Sequence, residues 1–207
     1  VAPNNAWTVG ERGLILKSSD GGRTWEDRSL STWEDQNWID IYGTDVIFNR
    51  VLFTDPQNGW IVGEFGKIFH TQDGGKNWTW QSDITGVNRD WIYLYDIGFL
   101  DSEHGWIVGA GGILLATRDG GKSWAAEESG TDATLYSLDF GKEGALAAGG
   151  RGKILQFNPK TKGNWKTVQG LEIYNWLRCL TISKQGHGWI VGGKGTILRI
   201  GAHGKQL

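Results

Sequence analysis

The chain has 207 residues, a formal net charge of −2 and a pI near 6.1, long enough for one domain with a hydrophobic core and too nearly neutral to suggest a nucleic-acid partner. No run of about 18 apolar residues occurs, which argues against a membrane-spanning helix. Glycine is frequent at 33 residues, tryptophan abundant at 13 and proline scarce at 3, and Gly-punctuated alternation of apolar and aromatic residues points to an all-β protein with many tight turns.

Taken in chain order, the elements repeat. A strand Trp7-Thr8-Val9-Gly10 is followed by a Gly-closed turn, a second apolar strand, and the phrase Ser18-Ser19-Asp20-Gly21-Gly22-Arg23-Thr24-Trp25. After a long connection, Arg50-Val51-Leu52-Phe53 leads into Trp60-Ile61-Val62-Gly63, then Lys67-Ile68-Phe69-His70, then Thr71-Gln72-Asp73-Gly74-Gly75-Lys76-Asn77-Trp78. The third round runs through Asp96-Ile97-Gly98-Phe99, Trp106-Ile107-Val108-Gly109 and Thr117-Arg118-Asp119-Gly120-Gly121-Lys122-Ser123-Trp124. Ala145-Leu146-Ala147-Ala148-Gly149 and Gly163-Asn164-Trp165 are a weaker fourth copy. Trp189-Ile190-Val191-Gly192 opens a fifth that lapses into Gly201-Ala202-His203-Gly204.

The glycines closing these strands, at 10, 63, 109, 149 and 192, lie 53, 46, 40 and 43 residues apart. That period suits a four-stranded propeller blade. The reading is an all-β fold, a β-propeller of about five four-stranded blades with Asp-Gly-Gly turns, in one domain over 1–207. The blades fall near 1–32, 33–86, 87–130, 131–170 and 171–207. The first blade lacks its opening strand and the last its closing one, so 18 strands are expected where five full blades need 20, and the ring is short of strands in this chain.

The Asp-Gly-Gly phrase has a physical reading as a hairpin turn. The aspartate accepts from nearby backbone N–H groups, the glycines supply positive φ, and the tryptophan that follows plugs the turn onto the blade. Ser18, Asp20, Gly22 and Trp25, Thr71, Asp73, Gly75 and Trp78, and Thr117, Asp119, Gly121 and Trp124 are therefore structural residues. Three copies in separate blades cannot converge on one ligand, so neither metal nor cofactor is expected there.

These residues carry a family resemblance. Ser/Thr-x-Asp-Gly-Gly-x-x-Trp resembles the Asp box, or bacterial neuraminidase repeat. The longer unit, Gly-Trp-Ile-Val-Gly through the box, resembles the repeat of the photosystem II stability and assembly factor family, whose members are typically longer and seven-bladed. The resemblance implies a non-enzymatic, chaperone-like protein-binding scaffold in an exported compartment, periplasm or thylakoid lumen, acting on a membrane-complex subunit or its tail. In an oxygenic phototroph that complex is the photosystem II reaction centre; elsewhere it is another extracytoplasmic complex. The alternative is a carbohydrate-binding or glycoside-hydrolysing Asp-box propeller.

Propeller topology places the turns between second and third strands on the same face as the connections between blades, opposite the Asp boxes. That face gathers Trp33, Trp38 and Tyr42 from the first connection, Arg89, Trp91 and Tyr95 from the second, and Tyr174 and Trp176 from the last, with Arg12, Arg151 and Lys194 from the turns. Loops on a rigid scaffold, rich in Trp, Tyr and Arg, are the usual makers of interface hot spots. A chain with an open blade edge is also expected to self-associate.

Catalytic constellations are weak. Arg12, Arg50 and Arg178 could gather on a substrate carboxylate, but no Tyr/Glu pair accompanies them, and Asp40 and Asp96 read as strand-end carboxylates paired with bases such as Arg50. His104 and His187 occupy equivalent turns of different blades, too far apart to share a metal, and His70 and His203 have no evident partner. The single Cys179, in an apolar strand, excludes an internal disulfide and reads as a small core residue. The opening Val1-Ala2-Pro3 reads as a processed or shortened start.

Overall fold

The computed structural model describes residues 4–29, 46–81, 84–85, 92–141, 144–160, 164–183 and 185–201. They form five sheets of a β-propeller. The first holds β1 (Ala6–Val9), β2 (Ile15–Ser18) and β3 (Glu26–Asp27); the second holds β4 (Phe48–Phe53), β5 (Gly59–Gly63), β6 (Ile68–Thr71) and β7 (Thr79–Trp80). The third holds β8 (Ile84–Thr85), β9 (Leu94–Phe99), β10 (Gly105–Gly109), β11 (Leu114–Thr117) and β12 (Trp124–Ala126). The fourth holds β13 (Leu135–Gly141), β14 (Gly144–Gly149), β15 (Ile154–Phe157) and β16 (Trp165–Thr167); the fifth holds β17 (Leu177–Ile182), β18 (Gly188–Gly192) and β19 (Ile197–Ile200).

Strands pair antiparallel within each blade, with one exception. The two-residue β8 runs parallel to β12, a strand that the count of 18 omits. It has no sequence signature because its two residues only complete an outer edge. Opening strands begin earlier than the apolar runs suggest: β4 starts at Phe48 and β9 at Leu94.

The chain divides into two compact units, residues 1–82 with 88–94, and residues 83–87 with 95–207. In the first unit the register places Trp7 opposite Lys17 and Val9 opposite Ile15, so one face of this sheet turns toward the second blade. There Ile15, Val46, Phe48, Ile61 and Phe69 form a buried core. Trp7 stacks on Phe53 at 5.0 Å and meets Trp78 edge-on at 6.1 Å. Gly75 is required beneath this indole, since a Cβ there would lie 2.3 Å from the Trp7 ring.

The second unit repeats the arrangement. Trp106, Val108 and Leu114 pack on Leu135, Leu155, Phe157 and Trp165, with Trp106 4.5 Å from Phe157 and 5.9 Å from Trp165. Ala148, Ile154, Leu177, Leu180, Ile190 and Ile200 form the next interface. The recurring unit of cohesion is thus the second-strand tryptophan of one blade against the Asp-box tryptophan of the next. The glycine that closes the second strand is dictated by close approach in three blades: a Cβ would meet a carbonyl oxygen at 2.3 Å at Gly63, and at 2.1 Å at both Gly149 and Gly192.

This unit explains two departures from expectation. Trp25 is 43% exposed rather than plugged in, because no described sheet precedes the first blade to cover it. In the last blade Trp189, Val191 and Ile197 are 51%, 41% and 66% exposed, where Trp106 and Val108 are fully buried. Cys179 pairs with Val191 in this sheet and is exposed with it, so it is not a core residue.

Candidate functional site

The two ends of the blades differ in chemistry. At one end lie the Asp boxes, whose polar groups satisfy one another. Asp73 Oδ1 accepts from the N–H groups of Lys76 and Asn77, both at 3.0 Å, and from the Thr71 hydroxyl at 2.8 Å. Its Oδ2 accepts from the Asn77 amide at 2.8 Å, while Thr71 Oγ1 accepts the Gly75 N–H at 2.9 Å. Asp20 with Ser18 and Thr24, and Asp119 with Thr117 and Ser123, repeat the pattern.

Burial opposes ionisation of Asp73 and Asp119, but hydrogen bonds from the turn prevail and hold both carboxyls at about 2. Asp20 is held well below the usual carboxylate range, chiefly by the Thr24 N–H and hydroxyl. Each carboxylate is spent on its own turn. Among the described residues no group of three or more His, Cys, Asp or Glu is placed to hold a metal ion.

At the opposite end each second strand runs into a tight turn: 11–13, 64–66, 110–112, 150–152 and 193–195. The middle residue of each is left-handed, with φ of 55° at Arg12, 55° at Phe65, 62° at Gly111, 55° at Arg151 and 53° at Lys194. Only glycine adopts this region freely; an L side chain there costs about 1 kcal/mol or more. Four of the five turns carry that strain to present a large side chain to solvent. Such strain is concentrated at functional sites, where a neighbouring structure holds it in place.

The neighbouring structure is the connection entering the next blade. Gly13 N–H donates to the Val46 carbonyl at 2.9 Å, Gly66 N–H to Ile92 at 2.9 Å, and Gly152 N–H to Asn175 at 2.7 Å. Around Asn175 this builds a compact surface in the second unit. Its carbonyl holds the 150–152 turn, while its amide donates to Thr196 Oγ1 at 3.2 Å beside the 193–195 turn. Tyr174 and Trp176, on either side of this clamp, are 83% and 51% exposed. Gly193 N–H donates to the Trp176 carbonyl at 2.8 Å, and the indole lies so close over Gly193 that a Cβ there would be 2.9 Å from it.

Of the expected face residues, Arg151, Tyr174, Trp176 and Lys194 are thus brought together, with Arg151 paired to Asp132 in the open. Arg12 stands exposed in the first unit. Tyr95 lies on β9 against Tyr136, with ring centres 5.3 Å apart. Trp33, Trp38, Tyr42, Arg89 and Trp91 lie outside the described residues, as does Asp40. Phe65, 39% exposed and 6.0 Å from Tyr93, joins the face of the first unit unforeseen; its signal was its place before Gly66, matching Arg12 before Gly13.

Two of the residues considered for chemistry are otherwise engaged. Asp96 is buried and accepts from the N–H groups of Ile97 and Leu138 at 3.0 and 2.9 Å. His104 Nδ1 lies 3.0 Å from the Asp101 carboxylate within its own turn. Tyr174 and Trp176 are thus exposed on either side of Asn175, with Arg151 and Lys194 at the middle of the adjoining turns.

The chain is similar to known proteins in sequence and in fold. The sequence profile of the photosynthesis system II assembly factor YCF48 family matches residues 1–84, 34–126 and 79–169. The photosystem II assembly lipoprotein Ycf48 of Synechococcus sp. (strain CC9902) is 35% identical over 79 residues, 37% of this chain and 20% of that protein. A solved structure of YCF48 bound to D1 peptide superposes with a TM-score of 0.68 at 24% identity, covering 95% of this chain and 62% of that one. A GH74 enzyme from Niastella koreensis has a TM-score of 0.69 at 14% identity, over 97% of this chain and 35% of the enzyme, and shares the fold alone. The chain therefore spans less than two thirds of the length of either YCF48 relative.

Proposed function

This chain belongs to the photosynthesis system II assembly factor YCF48 family, and we propose that it is a non-enzymatic scaffold that holds a segment of a photosystem II subunit during assembly. The observation that carries this reading is the surface around Asn175. Two strained turns and a clamped connection present Arg151, Lys194, Tyr174 and Trp176 together on a rigid frame. The solved YCF48 structure with D1 peptide supports a peptide as the thing held, and Trp38, Trp91 and Arg89 are proposed as further partner-binding residues.

Its place is extracytoplasmic, in the periplasm or thylakoid lumen, with membrane association through the partner. Among the described residues no helix is long and apolar enough to cross a membrane. The bare faces bearing Trp25 and Trp189 carry the two halves of the tryptophan contact that joins blades elsewhere. We propose that chains associate through them when no other sheet covers them.

Titration with a D1-derived peptide, followed by calorimetry, tests the reading, with xyloglucan oligosaccharides as the parallel arm. Saturable peptide binding supports it. Binding or cleavage of the oligosaccharide alone would replace it with the carbohydrate reading.

A further inference from the structure

In the second unit the opening strands of the fourth and fifth blades each carry one residue too many for their partners. Pairing of β13 with β14 shifts between Leu135 and Ser137, leaving Tyr136 as the extra residue; pairing of β17 with β18 shifts between Leu177 and Cys179, leaving Arg178. A bulge takes its side chain out of the strand's alternation and re-aims it, and bulges favour places beside binding sites. Tyr95 holds the same place in β9, following Leu94 as Tyr136 follows Leu135.

The three side chains meet. The Tyr95 and Tyr136 rings are 5.3 Å apart, and the Arg178 guanidinium carbon lies 4.9 Å from the Tyr136 ring centre and 5.6 Å from that of Tyr95. Their spacing is held from below. Asp96 Oδ2 accepts the Leu138 N–H at 2.9 Å and the Ser137 hydroxyl at 3.3 Å, and Ser137 Oγ accepts the Leu180 N–H at 3.2 Å, all buried. The residue after each tyrosine thus ties one blade to the next, so the cluster rests on buried bonds between strands.

A guanidinium lying over aromatic rings uses its flat face and keeps its in-plane N–H groups free to donate. Arg28, Arg118 and Arg151 are each paired with a carboxylate, whereas among the described residues none pairs with Arg178. We propose that Tyr95, Tyr136 and Arg178 form an oxyanion-binding site, which takes a carboxylate or phosphate group on the edge of a guanidinium fixed by two rings. Of the three only Tyr95 is among the face residues expected from sequence, and the proposal does not depend on the identity of that face's partner.

Protein labelled with nitrogen-15 arginine tests it, by following guanidinium Nε–H resonances during separate titrations with sodium acetate and inorganic phosphate, with chloride at matched ionic strength as the baseline. Arg178→Lys, an exposed substitution that keeps the charge, identifies the Arg178 resonance by its loss. The Arg178 signal is expected to move saturably with at least one of the two anions, while that of ion-paired Arg118 moves little. Tyr136→Leu should raise the midpoint about threefold by removing one ring from beneath the cation. The anion with the lower midpoint names the chemistry. An Arg178 signal that moves linearly and in step with Arg118, or equally with chloride, overturns the proposal.

Discussion

Replacing Asp73 by alanine removes one acceptor group and leaves four donors without it: the Lys76 and Asn77 N–H groups, the Asn77 amide and the Thr71 hydroxyl. The bonds from Lys76 and Asn77 are exposed, so water replaces the carboxylate there, and the turn loses about 1–2 kcal/mol. Thr71→Val is the harsher change although it keeps the shape. It strands the buried Gly75 N–H, which Thr71 Oγ1 accepts at 2.9 Å, and an orphaned buried donor costs about 1–3 kcal/mol in addition to the lost bond to Asp73. At about 2–4 °C per kcal/mol for a chain of this size, Asp73→Ala should melt roughly 2–8 °C below the parent and Thr71→Val lower still. Circular dichroism melts with calcium and with chelator decide it. If calcium raises the melting temperature of the parent by several degrees and not that of Asp73→Ala, the box is a metal site and the reasoning fails. If Thr71→Val melts with the parent, the hydroxyl is not holding the turn. The same carboxylates set an acid limit. Their folded pKa values, about 2 for Asp73 and Asp119, lie below the unfolded value of about 3.9, so their contribution is complete above roughly pH 4 and is lost as pH falls toward 2.

Arg151→Gly should raise fold stability by about 0.5–1 kcal/mol, because glycine relieves the left-handed strain at φ 55° that arginine pays for; chemical denaturation measures it, and a loss of stability would show that the turn is not strained. Burial lowers the His70 pKa, with its ring stacked 4.4 Å from Trp60, so the unfolded chain takes up a proton more readily and stability should decline as pH falls below about 6.5. His70→Gln should flatten that part of the pH–stability curve, and an unchanged slope would assign it elsewhere. Sedimentation should show association of the 207-residue chain that Trp189→Ser with Ile197→Ser diminishes; association unchanged in that variant would move the contact away from the bare blade face.

The propeller was legible because its blades repeat: the strand-closing glycine is dictated at Gly63, Gly149 and Gly192 by a carbonyl within 2.3 Å of any Cβ, and the Asp box by its own hydrogen bonds. What was not legible depends on neighbours. The exposure of Trp25, Cys179 and Trp189 follows from which sheet covers which, and each tryptophan reads the same in sequence whether it is covered or bare. The bulges at Tyr136 and Arg178 are properties of register, and no residue at either position announces an extra residue in the strand. Phe65 stands before Gly66 as Arg12, Arg151 and Lys194 stand before their glycines, so its turn was legible in sequence, and only its left-handed strain needed the backbone to be seen.

The central claim is that the Asn175 surface holds a peptide, and fluorescence anisotropy of a labelled D1-derived peptide against a Trp176→Ala, Arg151→Gly double variant tests it most directly. Trp176 is half exposed over Gly193, so its loss should leave the melting temperature within a few degrees of the parent. Truncating hot-spot Trp and Arg residues typically costs about 2–4 kcal/mol, so the dissociation constant should rise about 30-fold or more. A folded double variant that binds the peptide as tightly as the parent would contradict the account.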